Sequence, residues 1–339
     1  MGAQWSQFFP PKPAFTDADV PSQEGKVFLI TGGASGIGYE LARILYRKGG
    51  RVYIAGRDET KCRTAITEIA SAEAPAVAAT GSGSLEFLHL DLADLRTLKA
   101  AAEAFRAKET KLHVLFNNAG VSQPPVGSVS KQGVELQLAT NCLGPFLLTK
   151  LLLPLLEATA AQEETQNHHH TGTVRVVWLS SQMMELSAPR HGFTLDEIRN
   201  PPQDKARNYT NSKTGNFFLS TELARRYGSG SGSGSAGIVS VALNPGAVLT
   251  NLFRHTPWLP YLVRPLLYKP SLGALTELYA GLSADIMPER NGCYVLPWGR
   301  ISTNLREDLI EATKVEEEGG VGRAREFWDY CEEVTREYL

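Results

Sequence analysis

Neither sign of charge prevails in this 339-residue chain, where 34 Lys and Arg against 36 Asp and Glu leave a net charge of −2. The broad cationic field that attracts phosphate backbones is absent, which excludes nucleic acid as an expected partner. Cysteine is scarce. The four cysteines, Cys62, Cys142, Cys293 and Cys331, fall far apart with no CxxC pair, and a chain of this length needs no disulfides for its core. Reduced thiols in a cytoplasmic compartment are the expectation. Residues 1–25 contain prolines and aromatics but no long apolar run, so neither a signal peptide nor a transmembrane segment is expected there. They read as an N-terminal extension over the domain that follows. Met1-Gly2-Ala3-Gln4-Trp5-Ser6 matches the M-G-x-x-x-[ST] pattern for N-myristoylation. With no adjacent Lys/Arg cluster, a single acyl chain would give only weak, reversible membrane association.

What the chain does have is alternation. Short β-branched runs at Val27 to Thr31, Arg51 to Ala55, Leu85 to Leu90, Leu112 to Phe116, Val174 to Ser180 and Ile238 to Leu243 read as strands, with a last short one at Gly292 to Leu296. Between them, Tyr39 to Lys48, Thr60 to Ser71, Arg96 to Lys108, Val134 to Leu156 and Thr210 to Tyr227 carry apolar residues at helical spacing. This is the pattern of βαβ units in a single Rossmann-type doubly wound α/β domain, with about seven parallel strands and helices on both faces. Three stretches read as loop insertions: Ala72 to Ser84, Ala160 to Gly172 and the Gly-Ser alternation Gly228 to Gly237. His168, His169 and His170 are neighbours on the second of these and do not converge on an ion, so no metal is assigned.

Val27-Phe28-Leu29-Ile30 ends in Thr31-Gly32-Gly33-Ala34-Ser35-Gly36-Ile37-Gly38 and passes directly into a helix. A strand-to-helix turn aims free backbone N–H groups and the positive end of the helix dipole at one point, where a pyrophosphate fits. Gly32 allows the tight turn, Gly36 lets the backbone approach the phosphates and Gly38 lets helix and strand pack closely. Ser35 and Ile37 belong to the same cradle. The end of the second strand selects the cofactor. An acidic residue there would bind the ribose hydroxyls of NAD, whereas arginine accommodates the 2′-phosphate of NADP. Here Gly56 stands at the acidic position with Arg57 beside it, and Lys61 follows, so NADP(H) is expected. The alternative makes Arg57 a surface cation and Asp58 the ribose ligand.

Hydride addition to a carbonyl leaves charge on its oxygen and calls for a positioned proton donor. Tyrosine, with an ordinary pKa of about 10, needs a positive charge nearby to serve. Tyr209 and Lys213 are four apart on a predicted helix and therefore share a face. Ser180-Ser181 ends the strand Val176 to Leu179, where open α/β sheets bind ligands. Asn141 lies inside an otherwise apolar helical run, a costly place for an amide without hydrogen bonds.

In this order, Thr31-Gly-x-x-x-Gly-x-Gly, Asn117-Asn118-Ala119-Gly120, Tyr209-x-x-x-Lys213 and Asn244-Pro245-Gly246 resemble the short-chain dehydrogenase/reductase superfamily over roughly Gly25 to Leu296. Gly56-Arg57-Asp58 and the long stretch before Tyr209 look nearest to its retinol-dehydrogenase-like and WW-domain-oxidoreductase-like members. The resemblance implies a catalytic tetrad of Asn141, Ser181, Tyr209 and Lys213, with Ser181 on the substrate oxygen and Asn141 holding Lys213 through water. It also implies Asp91 at the adenine, Asn118 along the cofactor groove, and Val248 and Thr250 at the nicotinamide end. Asn208-Tyr209-Thr210 matches a glycosylation acceptor but coincides with this tyrosine and is set aside.

The segment Leu252 to Tyr268, with Trp258, Leu259, Tyr261, Leu262, Leu266 and Leu267 broken by Pro257, Pro260 and Pro265, corresponds in the superfamily to the substrate lid. Its composition points to an apolar or aromatic substrate. Membrane-surface contact or simple packing against the extended C-terminus is the competing reading of these residues. Met183, Met184, Phe193 and Leu195 are expected to form another wall. The expected division is extension 1–25, domain 26–300 with lid 250–272, and helical tail 301–339. Related enzymes often pair through the helices that here hold Val134 to Leu156 and Thr210 to Tyr227, so a homo-oligomer is conceivable unless the tail blocks that face. Two other functions fit parts of the pattern. A redox sensor or scaffold would need the cofactor turn but not the tetrad. A nucleotide-sugar epimerase shares the Tyr/Lys pair but has differently spaced glycines and a large C-terminal substrate domain.

Overall fold

The computed structural model describes residues 2–80, 83–166, 172–228 and 237–339. The β-branched runs become β1 (Val27–Thr31), β2 (Arg51–Gly56), β3 (Ser84–His89), β4 (Val114–Asn117), β5 (Arg175–Leu179), β6 (Val239–Leu243), β7 (Tyr294–Leu296) and β8 (Arg300–Ile301). They form one sheet in the order β3-β2-β1-β4-β5-β6-β7-β8, parallel up to β7, with β8 antiparallel at the edge. An eighth strand of two residues is too short to leave a periodic signature in sequence.

Every residue of β1 and β6 is buried, as strands covered on both faces require. Leu29, Leu115, Val176 and Ala242 face one core cluster, whereas Ile30, Phe116, Val177 and Val241 face the other. The chain builds β1, β2 and β3 outward to one side and then returns to place β4 on the other side of β1. That reversal opens a crevice beyond the carboxyl ends of the strands.

Two expected loops are largely helical. The helix after β2 runs Glu59–Thr80, and the one before β5 runs Gly144–Gln166. The Ala- and Glu-rich composition of both stretches favours helix. Burial adds to it: Glu73 pairs with Arg43 at 2.7 Å, and Glu163 pairs with Lys26 and His113. His168 to His170 and most of the Gly-Ser alternation lie outside the described residues. The expected helix Val134 to Leu156 is composite. A turn at Leu136–Leu138 and a π-helical segment at Ala139–Leu143, which carries Asn141, precede the α-helix from Gly144. By length and composition the stretch Leu136–Thr165 could cross a membrane, but 72% of its most apolar 18-residue window is buried inside the molecule.

Both ends of the chain pack onto the domain. The N-terminal helix Gly2–Phe8 buries Gln7, whose amide nitrogen donates to Glu185 and whose oxygen accepts from Asn244 Nδ2 at 2.8 Å. The C-terminal helix Arg323–Thr335 lies against Lys205–Tyr227, with the Trp328 ring edge-on to Phe146 at 4.8 Å and Phe327 against Gly215. Of the two helices expected to pair between subunits, Lys205–Tyr227 is thus packed against the C-terminal helix, which meets Gly144–Gln166 at Phe146 and Lys150.

Candidate active site

The phosphate turn forms where β1 ends. Gly32 and Gly36 take positive φ values, +69° and +60°, that side chains resist. Thr31 Oγ1 ties the turn to β4, donating to the Phe116 carbonyl at 3.2 Å and accepting from Ala119 N at 2.9 Å. Asn118 Nδ2 donates to the Thr31 carbonyl at 2.8 Å. A Cβ on Gly38 would lie 2.6 Å from that amide nitrogen and 2.8 Å from the Gly32 carbonyl, so close packing of helix on turn demands glycine. Ser35 stands at the N-cap of the helix Gly36–Arg47 yet makes no side-chain cap, which leaves the first helical N–H groups directed into the crevice.

The crevice is a cleft of about 530 Å³. Gly32, Ser35, Gly36, Ile37, Arg57, Asp91, Asn118, Val248 and Thr250 line it, together with Ser181, Tyr209 and Lys213. Arg57 is exposed at its rim with no carboxylate partner among the described residues, while Asp58 points elsewhere and accepts from Lys61 N at 3.1 Å. Lys61 departs from expectation. It does not line the cleft, because one turn into the helix its side chain projects into solvent, 3.7 Å from Asp58. An uncapped helix start and a glycine cradle make a fit for a dinucleotide, with Arg57 at the end of β2 beside them.

At the other end stands the proton machinery. Asp204 starts the helix Lys205–Tyr227 by accepting from the N–H groups of Ala206 and Arg207 at 2.9 and 3.1 Å, five residues earlier than periodicity indicates. Tyr209 and Lys213 fall on its buried face, the ammonium 5.7 Å from the phenol ring centroid. Burial pushes the Tyr209 hydroxyl up to about 12, opposed by a hydrogen bond with Ser181. Burial also lowers Lys213 to about 8, and its Nζ donates to the Leu179 carbonyl at 2.7 Å. Ser180, beside Ser181, turns away and donates to the Lys213 carbonyl at 2.7 Å, which fixes helix to strand.

Asn141 does not reach the cleft surface. Its Oδ1 accepts from Val121 N at 2.8 Å and its Nδ2 donates to the Val121 carbonyl and to Ser212 Oγ. A Cβ on Gly120 would meet Asn141 Oδ1 at 3.2 Å and Lys213 Nζ at 3.5 Å, so glycine there keeps the two groups open to each other.

The expected substrate walls are only partly present. Met183 lines the cleft, but Met184, Phe193 and Leu195 turn into the core, where the Phe193 ring packs on Phe218 and Phe327. Of the lid, Leu252, Phe253, Thr256 and Leu259 face the cleft, whereas Trp258, Tyr261 and Leu262 face solvent. Sequence reasoning missed three residues. Phe8 brings the N-terminal helix into the cleft wall, and Arg254 joins Arg57 as a lining cation whose guanidinium is lowered first by desolvation and then by Arg57. Glu277, on the helix Pro270–Leu282, is buried with neither carboxyl oxygen hydrogen-bonded among the described residues, and burial raises it to about 8 against the charge of Lys213. The absence of Asp and Glu from residues 246–276 was the one signal in the sequence that could have drawn attention to Arg254.

Comparison with known proteins gives a consistent picture. The family model described as short chain dehydrogenase matches residues 26–182. A short-chain dehydrogenase/reductase, iacJ, of Pestalotiopsis fici is 43% identical, over 99% of this chain and 98% of that protein. Another, from Phomopsis amygdali, is 42% identical over 99% and 97%. Among solved structures, an uncharacterized protein from Mycobacterium paratuberculosis has a TM-score of 0.68 at 28% identity and covers 95% of this chain and 97% of its own.

Proposed function

Because the chain belongs to the short-chain dehydrogenase/reductase family of oxidoreductases, we propose that it reduces a carbonyl of an apolar or aromatic small molecule with NADPH, or oxidises the matching alcohol. The observation that carries this reading is one continuous cleft with an open phosphate turn and unpaired Arg57 at one end and Tyr209, Lys213 and Ser181 at the other. The family uses NAD(P)(H); the choice of NADP rests on Gly56-Arg57 and on the orientation of Asp58 out of the cleft.

When bound, the cofactor supplies or receives the hydride. Gly32, Gly36 and the first N–H groups of the helix behind them hold its pyrophosphate, Arg57 the 2′-phosphate, and Asp91, Asn118, Val248 and Thr250 the remaining groups. Ser181 and Tyr209 grip the substrate oxygen from one side. Tyr209 then gives its proton to that oxygen as charge develops. A phenol kept neutral by burial suits this donor role, which favours reduction. Lys213, buried and charged at neutral pH, offsets the negative charge left on the phenol, and Asn141 positions the backbone around it. We take residues 26–300 as the working domain with 1–25 and 301–339 as packed extensions, in a cytoplasmic setting. Pairing of two chains through the helix Lys205–Tyr227 would require the C-terminal helix to leave, which favours a monomer.

The deciding experiment measures NADPH consumption with aromatic ketones, quinones, retinoid-like aldehydes and steroid ketones, for the native chain and Tyr209→Phe. Turnover is expected to fall by about 10² to 10⁴ in the variant with NADPH binding intact. Tight binding of NADPH without turnover of any carbonyl or alcohol would favour the sensor reading instead. Arg57→Gln is expected to weaken NADPH binding about 10- to 100-fold and leave NADH unchanged. An unchanged NADPH affinity would remove the NADP assignment.

A further inference from the structure

Of the five tryptophans, Trp178, Trp298 and Trp328 are buried, whereas Trp258 is 63% and Trp5 66% exposed. The exposed pair is not scattered. Trp258 shares the lid with Tyr261, 81% exposed, and Leu262, 73% exposed, while Trp5 packs at a tilt against the exposed Phe9 with ring centroids 4.6 Å apart. Lid and N-terminal helix adjoin each other: Tyr268 Oη donates to the Phe8 carbonyl at 3.1 Å, and Phe8 and Leu259 line the same cleft. Single exposed apolar residues need no explanation, but a group of aromatic and leucine side chains around the mouth of an apolar cleft does.

Charge indicates what covers this face. Residues 1–16 and 246–276 contain no Asp or Glu, although acids slightly outnumber bases in the chain as a whole. Lys12, Arg264 and Lys269, all exposed, lie in these two segments, and none of the three forms an ion pair among the described residues. Aromatic side chains with a polar edge, leucine, and unpaired basic residues are the composition that settles at the headgroup level of an anionic bilayer. A second copy of this chain would leave those cations facing their own kind, and an acidic protein would not call for the exposed tryptophan, tyrosine and leucine. We infer that the lid and the N-terminal helix together form a docking face for an anionic lipid surface, which seats the mouth of the cleft on the membrane. If the proposed function holds, its consequence is that an apolar carbonyl dissolved in lipid passes into the cleft without crossing water. The docking itself does not depend on that reading.

The test is flotation of the full, unacylated chain with vesicles of phosphatidylcholine alone and of phosphatidylcholine with 30 mol% phosphatidylserine, without cofactor or substrate. Binding to the anionic vesicles is expected, weakened by 0.5 M NaCl and stronger than to the neutral ones. The triple variant Trp258→Ser, Tyr261→Ser, Leu262→Ser should lower affinity at least tenfold. Because all three side chains are exposed, thermal unfolding should be unchanged. Arg264→Gln and Lys269→Gln should each lower it about fivefold for anionic vesicles only. No flotation with anionic vesicles, or flotation that the triple variant leaves unchanged, would overturn the inference. So would concentration-dependent dimerisation in sedimentation velocity that the triple variant abolishes, since a second copy would then occupy the face. Each of these readouts is independent of catalysis, so a failed carbonyl panel and a failed flotation are separate results.

Discussion

Glu277→Gln replaces a buried carboxyl by an amide of nearly the same shape, and the response of stability to pH follows from where Glu277 sits. On its helix, Gly273 and Gly281 lie one turn to either side. A Cβ on the first would meet Ile37 at 3.0 Å, and on the second Phe116 at 2.6 Å. Residues four apart share a helix face, so Glu277 looks into the space behind the phosphate turn, within range of the charge on Lys213. Burial raises its pKa from 4.5 to about 8. Below 4.5 the carboxyl is protonated in both folded and unfolded chains, so its contribution does not vary with pH. Between 4.5 and 8 the unfolded chain ionises it and the folded chain does not, so stability falls as pH rises. The slope is about 1.4 kcal/mol per unit, which amounts to roughly 3 kcal/mol at pH 7. Glutamine has no such linkage. The variant should therefore match the native chain near pH 4.5 and gain on it steadily up to pH 8, with the gap reaching a few kcal/mol. Urea unfolding at each pH, followed by tryptophan fluorescence, measures this. A difference between the two chains that does not change with pH would show that Glu277 does not titrate in this window and would refute the reasoning.

Gly38→Ala should abolish NADPH binding or cost about 1–3 kcal/mol of stability, since its Cβ would collide with the Asn118 amide and the Gly32 carbonyl; unchanged binding in isothermal calorimetry would contradict the close helix–turn packing. Carbonyl reduction should be flat below pH 8 and decline above it as Lys213, at about 8, loses its charge while Tyr209, at about 12, stays protonated. Alcohol oxidation needs the phenolate and should rise with pH over the same range; rates that rise with pH in both directions would speak against Tyr209 as the donor.

Much of the architecture was written in local pattern. Strand after strand announced itself through β-branched runs, and the turn Thr31 to Gly38 through glycines that its backbone angles require. The Tyr209/Lys213 pair followed from one interval of four on a helix. Length was harder to read. Composition alone labelled Ala72 to Ser84 and Ala160 to Gly172 as loops, although Glu73 and Glu163 find buried partners on distant elements and the helices continue to Thr80 and Gln166.

By itself the sequence determined the order of the elements and the chemistry each could offer, because periodicity and turn geometry act over a few residues. Only the tertiary structure decided what each face meets. It sent Met184 and Phe193 into the core while Met183 took the cleft, and it turned Lys61 outward while Arg57 stayed at the rim. It brought Phe8 and Arg254, nearly 250 positions apart, into one cavity wall, and it enclosed Glu277 near Lys213 without a hydrogen-bond partner among the described residues. Spacing fixes which residues share a face, but packing between elements far apart in the chain fixes what that face is pressed against.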